Sequence, residues 1–241
     1  MDPNHEKLSN DLPDVLILCG GQGTRLRPAV SDNPKPLAAI GNRVFLDILL
    51  QQIFDQGFSR VILAVGYMKD KIIERYSGDP RLLFSVEESP LGTGGALMKA
   101  MDLLETEDFI VMNGDSYCNA DLRKVYKEHA KREPIISMVL TESDDVSDSG
   151  SVSVDESSRV LDFKEKTSGK RKGLVNAGIY IFNKKIKAHM PKQVNFSLER
   201  DLFPSIIPRQ FCYGHIVPGG VFDIGTPERY NIAKQKFTNS W

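Results

Sequence analysis

Cysteine and histidine are scarce in this chain of 241 residues, and neither falls into a chemically useful pattern. The three cysteines, Cys19, Cys118 and Cys212, lie far apart and form no CxxC pair. Such a count fits free thiols in a reducing compartment rather than a disulfide framework. The four histidines lack a metal-ligand spacing, so no zinc site is expected. No apolar run approaches the ~20 residues that span a bilayer. The polar opening MDPNHEKLSNDLPD has no apolar segment of signal-peptide type. A cytoplasmic protein with no membrane partner is therefore expected. The basic excess of a nucleic-acid binder is missing too, with 31 Lys and Arg against 32 Asp and Glu. There is no internal repeat, and hexapeptide repeats of the β-helix type are absent, so no appended acyltransferase or long regulatory domain is expected.

The chain is 41% hydrophobic and 26% charged, enough apolar content for one large α/β domain with a deep pocket. Residues 1–13 read as a flexible arm and 14–241 as a single domain. Asp14 to Cys19 is a short apolar run that ends in Gly20-Gly21, as a buried parallel strand entering a glycine loop does. Phe45 to Phe54 has helical spacing, with Gly57 as its C-terminal stop. Val61 to Val65 is a second buried strand, Asp70 to Tyr76 a short helix and Leu83 to Val86 a strand. A helix follows from Gly95 to Leu104, then the strand Phe109 to Met112, then a helix from Asp121 to Arg132. This alternation predicts a parallel sheet with helices on both faces. From Ile135 to Phe182 the texture becomes β-rich. The polar–apolar alternation of Ser151 to Val154 and Val160 to Phe163 suggests half-exposed strands laid over the sheet's edge. Ser197 to Ile207 reads as helical, Phe211 to Ile224 as strand-rich, and Pro227 to Phe237 as a closing helix with Pro in its first turn.

The chemistry-bearing residues begin directly after the first strand. In Gly20-Gly21-Gln22-Gly23-Thr24-Arg25-Leu26-Arg27, three glycines in four positions let backbone N–H groups close on phosphate oxygens. Arg25 and Arg27 can neutralise a triphosphate. A structural turn with solvated arginines is the plainer reading of this loop alone. The pattern GxxxxGK[ST] is absent, and the dinucleotide fingerprint lacks its third glycine. Lys35 stands between Pro34 and Pro36, which stiffen the backbone and aim the side chain. Asp115 follows an apolar strand, at the end where open α/β sheets bind ligands; a turn or cap residue is its plainer reading.

Together these segments resemble the sugar-1-phosphate nucleotidyltransferases, whose signature GGxGTRL…PKP is matched nearly letter for letter. Five further segments follow in the family's order: Glu88 to Gly95, Asn113-Gly114-Asp115, Phe163 to Lys166, Asn176 to Tyr180 and Phe222 to Pro227. The resemblance implies a Rossmann-like α/β fold with a mixed, mostly parallel sheet. It places a nucleotide-binding part at about 14–134 and a sugar-binding part at about 135–241. It implies Arg25 and Lys35 as catalytic cations, with Gly20, Gly21, Gly23, Thr24, Pro90, Gly92, Thr93 and Gly94 around the nucleotide. Gly150, Glu165, Lys166 and Asn176 fall to the sugar phosphate. Asp115 and Asp223 would hold Mg²⁺, whose preference for carboxylate, water and phosphate oxygen suits such a pair.

The implied reaction is in-line attack of a sugar 1-phosphate on the α-phosphorus of an NTP. The acceptor is already anionic, so positioning and charge neutralisation carry the catalysis. Residues 34–47 and 90–95 most resemble the D-glycero-α-D-manno-heptose 1-phosphate guanylyltransferases, and mannose-1-phosphate guanylyltransferases share much of them. GTP is thus the expected nucleotide, with CTP, UTP and dTTP as alternatives, and cell-surface polysaccharide the expected destination. A homo-oligomer is compatible with the sequence. A non-catalytic regulatory paralogue is the reading from another class; Arg25, Lys35, Asp115, Lys166 and Asp223, all retained, speak against it.

Overall fold

Pro13 is buried and Leu12 packs on the core, so the chain is anchored just before its first strand. The computed structural model describes residues 12–147, 150–165, 170–209 and 211–238. Of the arm expected over 1–13, residues 1–11 lie outside the described part.

The strands in chain order are β1 (Asp14–Leu18), β2 (Ala39–Ile40), β3 (Arg43–Val44), β4 (Val61–Val65), β5 (Leu82–Val86), β6 (Asp108–Asn113), β7 (Ser116–Cys118), β8 (Ile136–Ser143), β9 (Ser151–Val154), β10 (Val160–Lys164), β11 (Gly173–Asn183), β12 (Cys212–Ile216) and β13 (Val221–Asp223). The helices are α1 (Phe45–Asp55), α2 (Lys69–Tyr76), α3 (Gly92–Ala100), α4 (Leu122–Arg132), α5 (Phe203–Ile206) and α6 (Pro227–Thr238). A π-helical turn, Leu198–Leu202, leads into α5.

Local chemistry explains the helix ends. The Asp121 carboxylate accepts the Lys124 N–H at 2.9 Å and caps α4. Asp47, in the first turn of α1, accepts the Val44 N–H at 3.3 Å. The same carboxylate takes Arg75 and the Tyr76 hydroxyl, each at 2.7 Å, and so ties α2 to α1. Gly57, with φ +86°, ends α1 in the left-handed region that its missing Cβ permits.

Among the described residues nine strands form one sheet. Its parallel part runs β5-β4-β1-β6, so the chain moves outward from β1 to β5 and then returns to β1's other side. The carboxyl ends of β1 and β6 thus flank a topological switch point. Beyond β6 the sheet turns antiparallel through the long strand β11. One edge of β11 pairs with β8, which in turn pairs in parallel with β12. Its other edge changes partner: residues 179–183 pair with β6, whereas Leu174 and Val175 pair with β9. The sheet forks there, and the fork opens beside the switch point.

Alternate strand residues enter two cores. Val15 and Ile17, Val61, Leu63 and Val65, and Ile110 and Met112 face α1, α2, α4 and α6. Leu16, Ile62, Ala64, Phe109 and Val111 face α3 and the segment through α5. Each such fully buried side chain contributes roughly 1.5–3 kcal/mol.

One expectation needs correction. Helix α3 begins at Gly92, three residues earlier than predicted, because the Phe196 carbonyl accepts the Gly94 and Gly95 N–H groups at 2.9 and 3.3 Å and satisfies its first turn. The half-exposed strands expected over Ser151 to Val154 and Val160 to Phe163 are β9 and β10, at the sheet's edge, whereas β8 and β11 are largely buried within the sheet. One sheet therefore runs through both halves of the chain. The C-terminal helix α6 packs back on the first half, where the Tyr230 hydroxyl donates to the Ala39 carbonyl at 2.6 Å.

Candidate active site

The loop after β1 is a turn built on Gly23, whose φ is +58° and whose carbonyl accepts the Leu26 and Arg27 N–H groups. Leu26 is buried and anchors it, which leaves Gly21 and Arg25 exposed to the crevice. Lys35 opens a single 3₁₀ turn after Pro34. Pro34 and Pro36 are both buried, so the lysine is fixed from both sides. Its stem lies over Gly23, where an added Cβ would come 3.2 Å from the Lys35 Cβ.

Lys35 Nζ forms an ion pair with Asp115 Oδ2. Burial pushes the Asp115 carboxyl up, but the Lys35 charge and hydrogen bond, then Ser116 and Arg25, outweigh it and hold the group below the usual carboxylate range. Asp115 leads into β7, which pairs antiparallel with β13 so that Ser116 lies opposite Asp223. The Ile224 N–H donates to the Asp115 carbonyl at 3.0 Å. Backbone bonds thus seat the two aspartates side by side. Asp223 is held by the Gly225 N–H at 2.8 Å and by Arg229 at 2.9 Å. A Cβ added to Gly225 would stand 3.6 Å from Lys35 Nζ and 3.8 Å from an Arg25 nitrogen. Arg25, Lys35, Arg229, Asp115 and Asp223 therefore form one charged cluster.

This cluster is the floor of a cavity of about 500 Å³ at the switch point and the fork. Gly20, Gly21, Arg25, Lys35, Pro90, Gly92, Thr93, Asp115, Gly150, Glu165, Asn176 and Asp223, all singled out from sequence, line it. Gly150 and Asn176 enter where β11 changes partner, and the Asn176 N–H donates to the Gly150 carbonyl at 2.8 Å. The Phe163 ring closes over Gly150.

Some expected residues stand elsewhere, and some in the lining are already hydrogen-bonded within the protein. Gly23 and Thr24 do not line this cavity; Gly23 lies beneath the Lys35 stem and Thr24 is exposed. Gly94 is buried against the Phe196 ring, which an added Cβ would overlap, so it serves helix packing. Thr93 is in the lining, and its hydroxyl donates to Glu199 at 2.8 Å. Asn176 donates to the Tyr180 hydroxyl at 2.6 Å and accepts the Gly178 N–H at 2.9 Å, which leaves one N–H and one lone pair of its amide open. Lys166 lies outside the described residues.

Sequence reasoning missed Glu87, Glu199 and Arg229, which line the same cavity. Glu87 follows β5, is buried, and accepts the Leu91 N–H at 3.3 Å. Burial raises its pKa above the ordinary value, against the opposing pull of that bond and of Lys99.

Among the described residues no group of three or more His, Cys, Asp and Glu could cage a metal. The donor set is instead two adjacent carboxylates, one held ionised. That fits a hard cation such as Mg²⁺, which keeps water and phosphate oxygens as its other ligands. Also among the described residues, no helix is long and apolar enough to cross a membrane.

The sequence matches the nucleotidyl transferase family over residues 14–240. It is 36% identical to D-glycero-α-D-manno-heptose 1-phosphate guanylyltransferase of Aneurinibacillus thermoaerophilus over 227 residues, 92% of this chain and 97% of that protein. It is 34% identical to mannose-1-phosphate guanylyltransferase of Mycobacterium tuberculosis, over 90% of this chain but 62% of that longer protein. Among solved structures, HddC from Yersinia pseudotuberculosis complexed with GMP-PN superposes with a TM-score of 0.81 at 36% identity, covering 94% of this chain and 100% of that one.

Proposed function

The chain belongs to the nucleotidyl transferase family, and from that premise we propose that it transfers GMP from GTP to D-glycero-α-D-manno-heptose 1-phosphate. A phosphate oxygen of the sugar phosphate attacks the α-phosphorus. The bond from that phosphorus to the bridging oxygen breaks, and pyrophosphate leaves. The product is a GDP-sugar made in the cytoplasm, an activated donor for cell-surface polysaccharide.

The observation that carries this reading is the charged cluster at the cavity floor. Arg25, Lys35 and Arg229 converge there, where two polyanions must be brought together against their mutual repulsion. Fixed cations in a cavity stabilise developing charge without reorganisation, and loss of one such group commonly costs 10²–10³-fold in rate. Asp115 and Asp223 would hold Mg²⁺. The ion's chemistry there would be to neutralise phosphate oxygens and orient them. The attacking phosphate needs no general base, which agrees with the absence of His and Cys from the cavity lining.

Glu87 favours guanine among the bases. A buried carboxylate only accepts hydrogen bonds when ionised, and guanine alone presents two adjacent donors, N1–H and the 2-amino group, on its pairing edge. The similarity to the A. thermoaerophilus enzyme supports the heptose as acceptor. The test is pyrophosphate release from GTP, CTP, UTP, dTTP and ATP with heptose, mannose and glucose 1-phosphates. The largest kcat/KM is expected for GTP with the manno-configured heptose phosphate. Preference for glucose 1-phosphate or for a pyrimidine nucleotide refutes the substrate pair and leaves the transferase class standing.

A further inference from the structure

Glu199 belongs to none of the segments that marked the site in sequence. It projects into the cavity from the π-helical turn, a rare geometry often found at functional sites. Its Oε2 is pinned twice: the Ser197 hydroxyl and the Thr93 hydroxyl both donate to it at 2.8 Å. The Thr93 oxygen in turn accepts the Leu198 N–H at 2.9 Å, so its one O–H and one of its two lone pairs are engaged in holding this turn. Thr93 belongs to α3, and the carboxylate is therefore clamped between two elements that meet across the cavity wall.

A carboxylate offers about four acceptor positions. Two are filled on Oε2, while Oε1 carries no hydrogen bond and no cation within ion-pairing distance among the described residues. Asn176 lines the same cavity, and its amide donates to the Tyr180 hydroxyl at 2.6 Å. Tyr180 is fully buried; its hydroxyl is pushed up first by that burial and then by the Glu199 charge. Glu199 thus gives the cavity lining a fixed acceptor, in contrast to the cations Arg25, Lys35 and Arg229 that suit phosphates. An acceptor held rigidly and half desolvated without a cation gains most from neutral O–H donors.

We propose that Glu199 reads the ring hydroxyls of the sugar phosphate and that Thr93 is its positioning residue. This assignment rests on the reading of the cavity as a nucleotidyl-transfer site. It makes Glu199 a determinant of acceptor selectivity and gives Thr93 a role on the sugar side although it belongs to a helix of the nucleotide half.

The test compares wild type with Glu199→Gln, Thr93→Val and Thr93→Ser. Glu199→Gln is expected to lower kcat/KM for the accepted sugar 1-phosphate by about 10- to 100-fold, the range for a hydrogen bond to a charged group. Its discrimination against hydroxyl epimers should shrink by a similar factor, while the GTP dissociation constant measured by calorimetry stays within about twofold. Thr93→Val should reproduce the loss of selectivity more weakly, and Thr93→Ser should restore it. Should Glu199→Gln fail to fold, as a thermal melt would show, the two Thr93 variants decide alone. Unchanged epimer selectivity, or an equal loss for every sugar, overturns the assignment. So does a loss that follows GTP against 2′-deoxy-GTP, since the hydroxyls read would then be those of the nucleotide ribose. A wild type that releases no pyrophosphate with any pair refutes the functional reading itself.

Discussion

Gly21 offers a clean separation of what the fold needs from what the ligand needs. An added Cβ there meets nothing within 4 Å, and its φ lies outside the left-handed region. The unliganded protein therefore has no steric or conformational reason for glycine at this position. Gly21→Ala should not destabilise; by restricting the unfolded chain it should add up to about 1 kcal/mol. For a domain of this size that is a rise in Tm of no more than about 4 °C. The methyl group would nevertheless stand in the cavity, at the loop proposed to face the triphosphate. A ligand displaced by about 1 Å from reacting geometry loses roughly 10²-fold in rate. The expected outcome is thus a protein at least as stable as wild type with kcat/KM for GTP lower by about two orders of magnitude. Thermal melts and pyrophosphate release measure the two halves. Full activity would show that no ligand passes over Gly21, and a clear fall in Tm would show that the fold itself requires the glycine.

Three other perturbations test separate parts of the structure. Gly94→Ala gains about 1 kcal/mol of helix propensity but must displace the buried Phe196 ring, which costs about 1–3 kcal/mol plus lost burial, so Tm should fall by several degrees; a rise refutes the packing role. EDTA should abolish turnover and Mg²⁺ restore it, while Asp223→Asn should weaken Mn²⁺ binding, read by electron paramagnetic resonance, and lower kcat by about 10²-fold; full turnover in EDTA sinks the metal assignment. Glu87→Gln should bring kcat/KM for GTP down towards that for ITP, which lacks the 2-amino group, from a wild-type preference of roughly 10- to 100-fold. Because burial raises the Glu87 pKa, its charge is lost at a higher pH than that of an ordinary carboxylate, and the wild-type GTP preference should fade early on the acid side; a pH-independent preference contradicts the role.

The parts of this architecture that local pattern controls were legible in the sequence. β1, β4, β5 and β6 are short apolar runs bounded by turn residues, and their parallel order follows from the helices between them. The segments around Arg25, Lys35, Asp115 and Asp223 were legible because glycine, proline and aspartate at strand ends constrain the backbone in recognisable ways. Helix α3 was placed three residues late because Gly92, Gly94 and Gly95 have poor helix propensity. A carbonyl about a hundred residues away stabilises that turn, and no local pattern encodes it. Glu199 and Arg229 were missed for a related reason. A charged residue in a helical segment usually faces solvent, and only the long-range seating of Thr93 against Glu199 and of Arg229 against Asp223 turns these two inward. The burial of β8 was hidden because its partners β11 and β12 come later in the chain.

The ribbon of β7 and β13 also sets a clock. It joins Ser116 to Asp223, about a hundred residues apart, and carries the second carboxylate to the first. β1, β4, β5 and β6 need only chain made before residue 114. At translation rates of about 5–20 residues per second, Asp223 is synthesised roughly 5–20 s after Asp115. During that interval the parallel half of the sheet can already assemble and Lys35 can already meet Asp115, yet the charged centre has only one of its two carboxylates. A nascent or truncated chain ending before β13 thus holds a glycine loop without a complete catalytic floor. Onset of pyrophosphate release then requires this ribbon as well as the parallel half of the sheet.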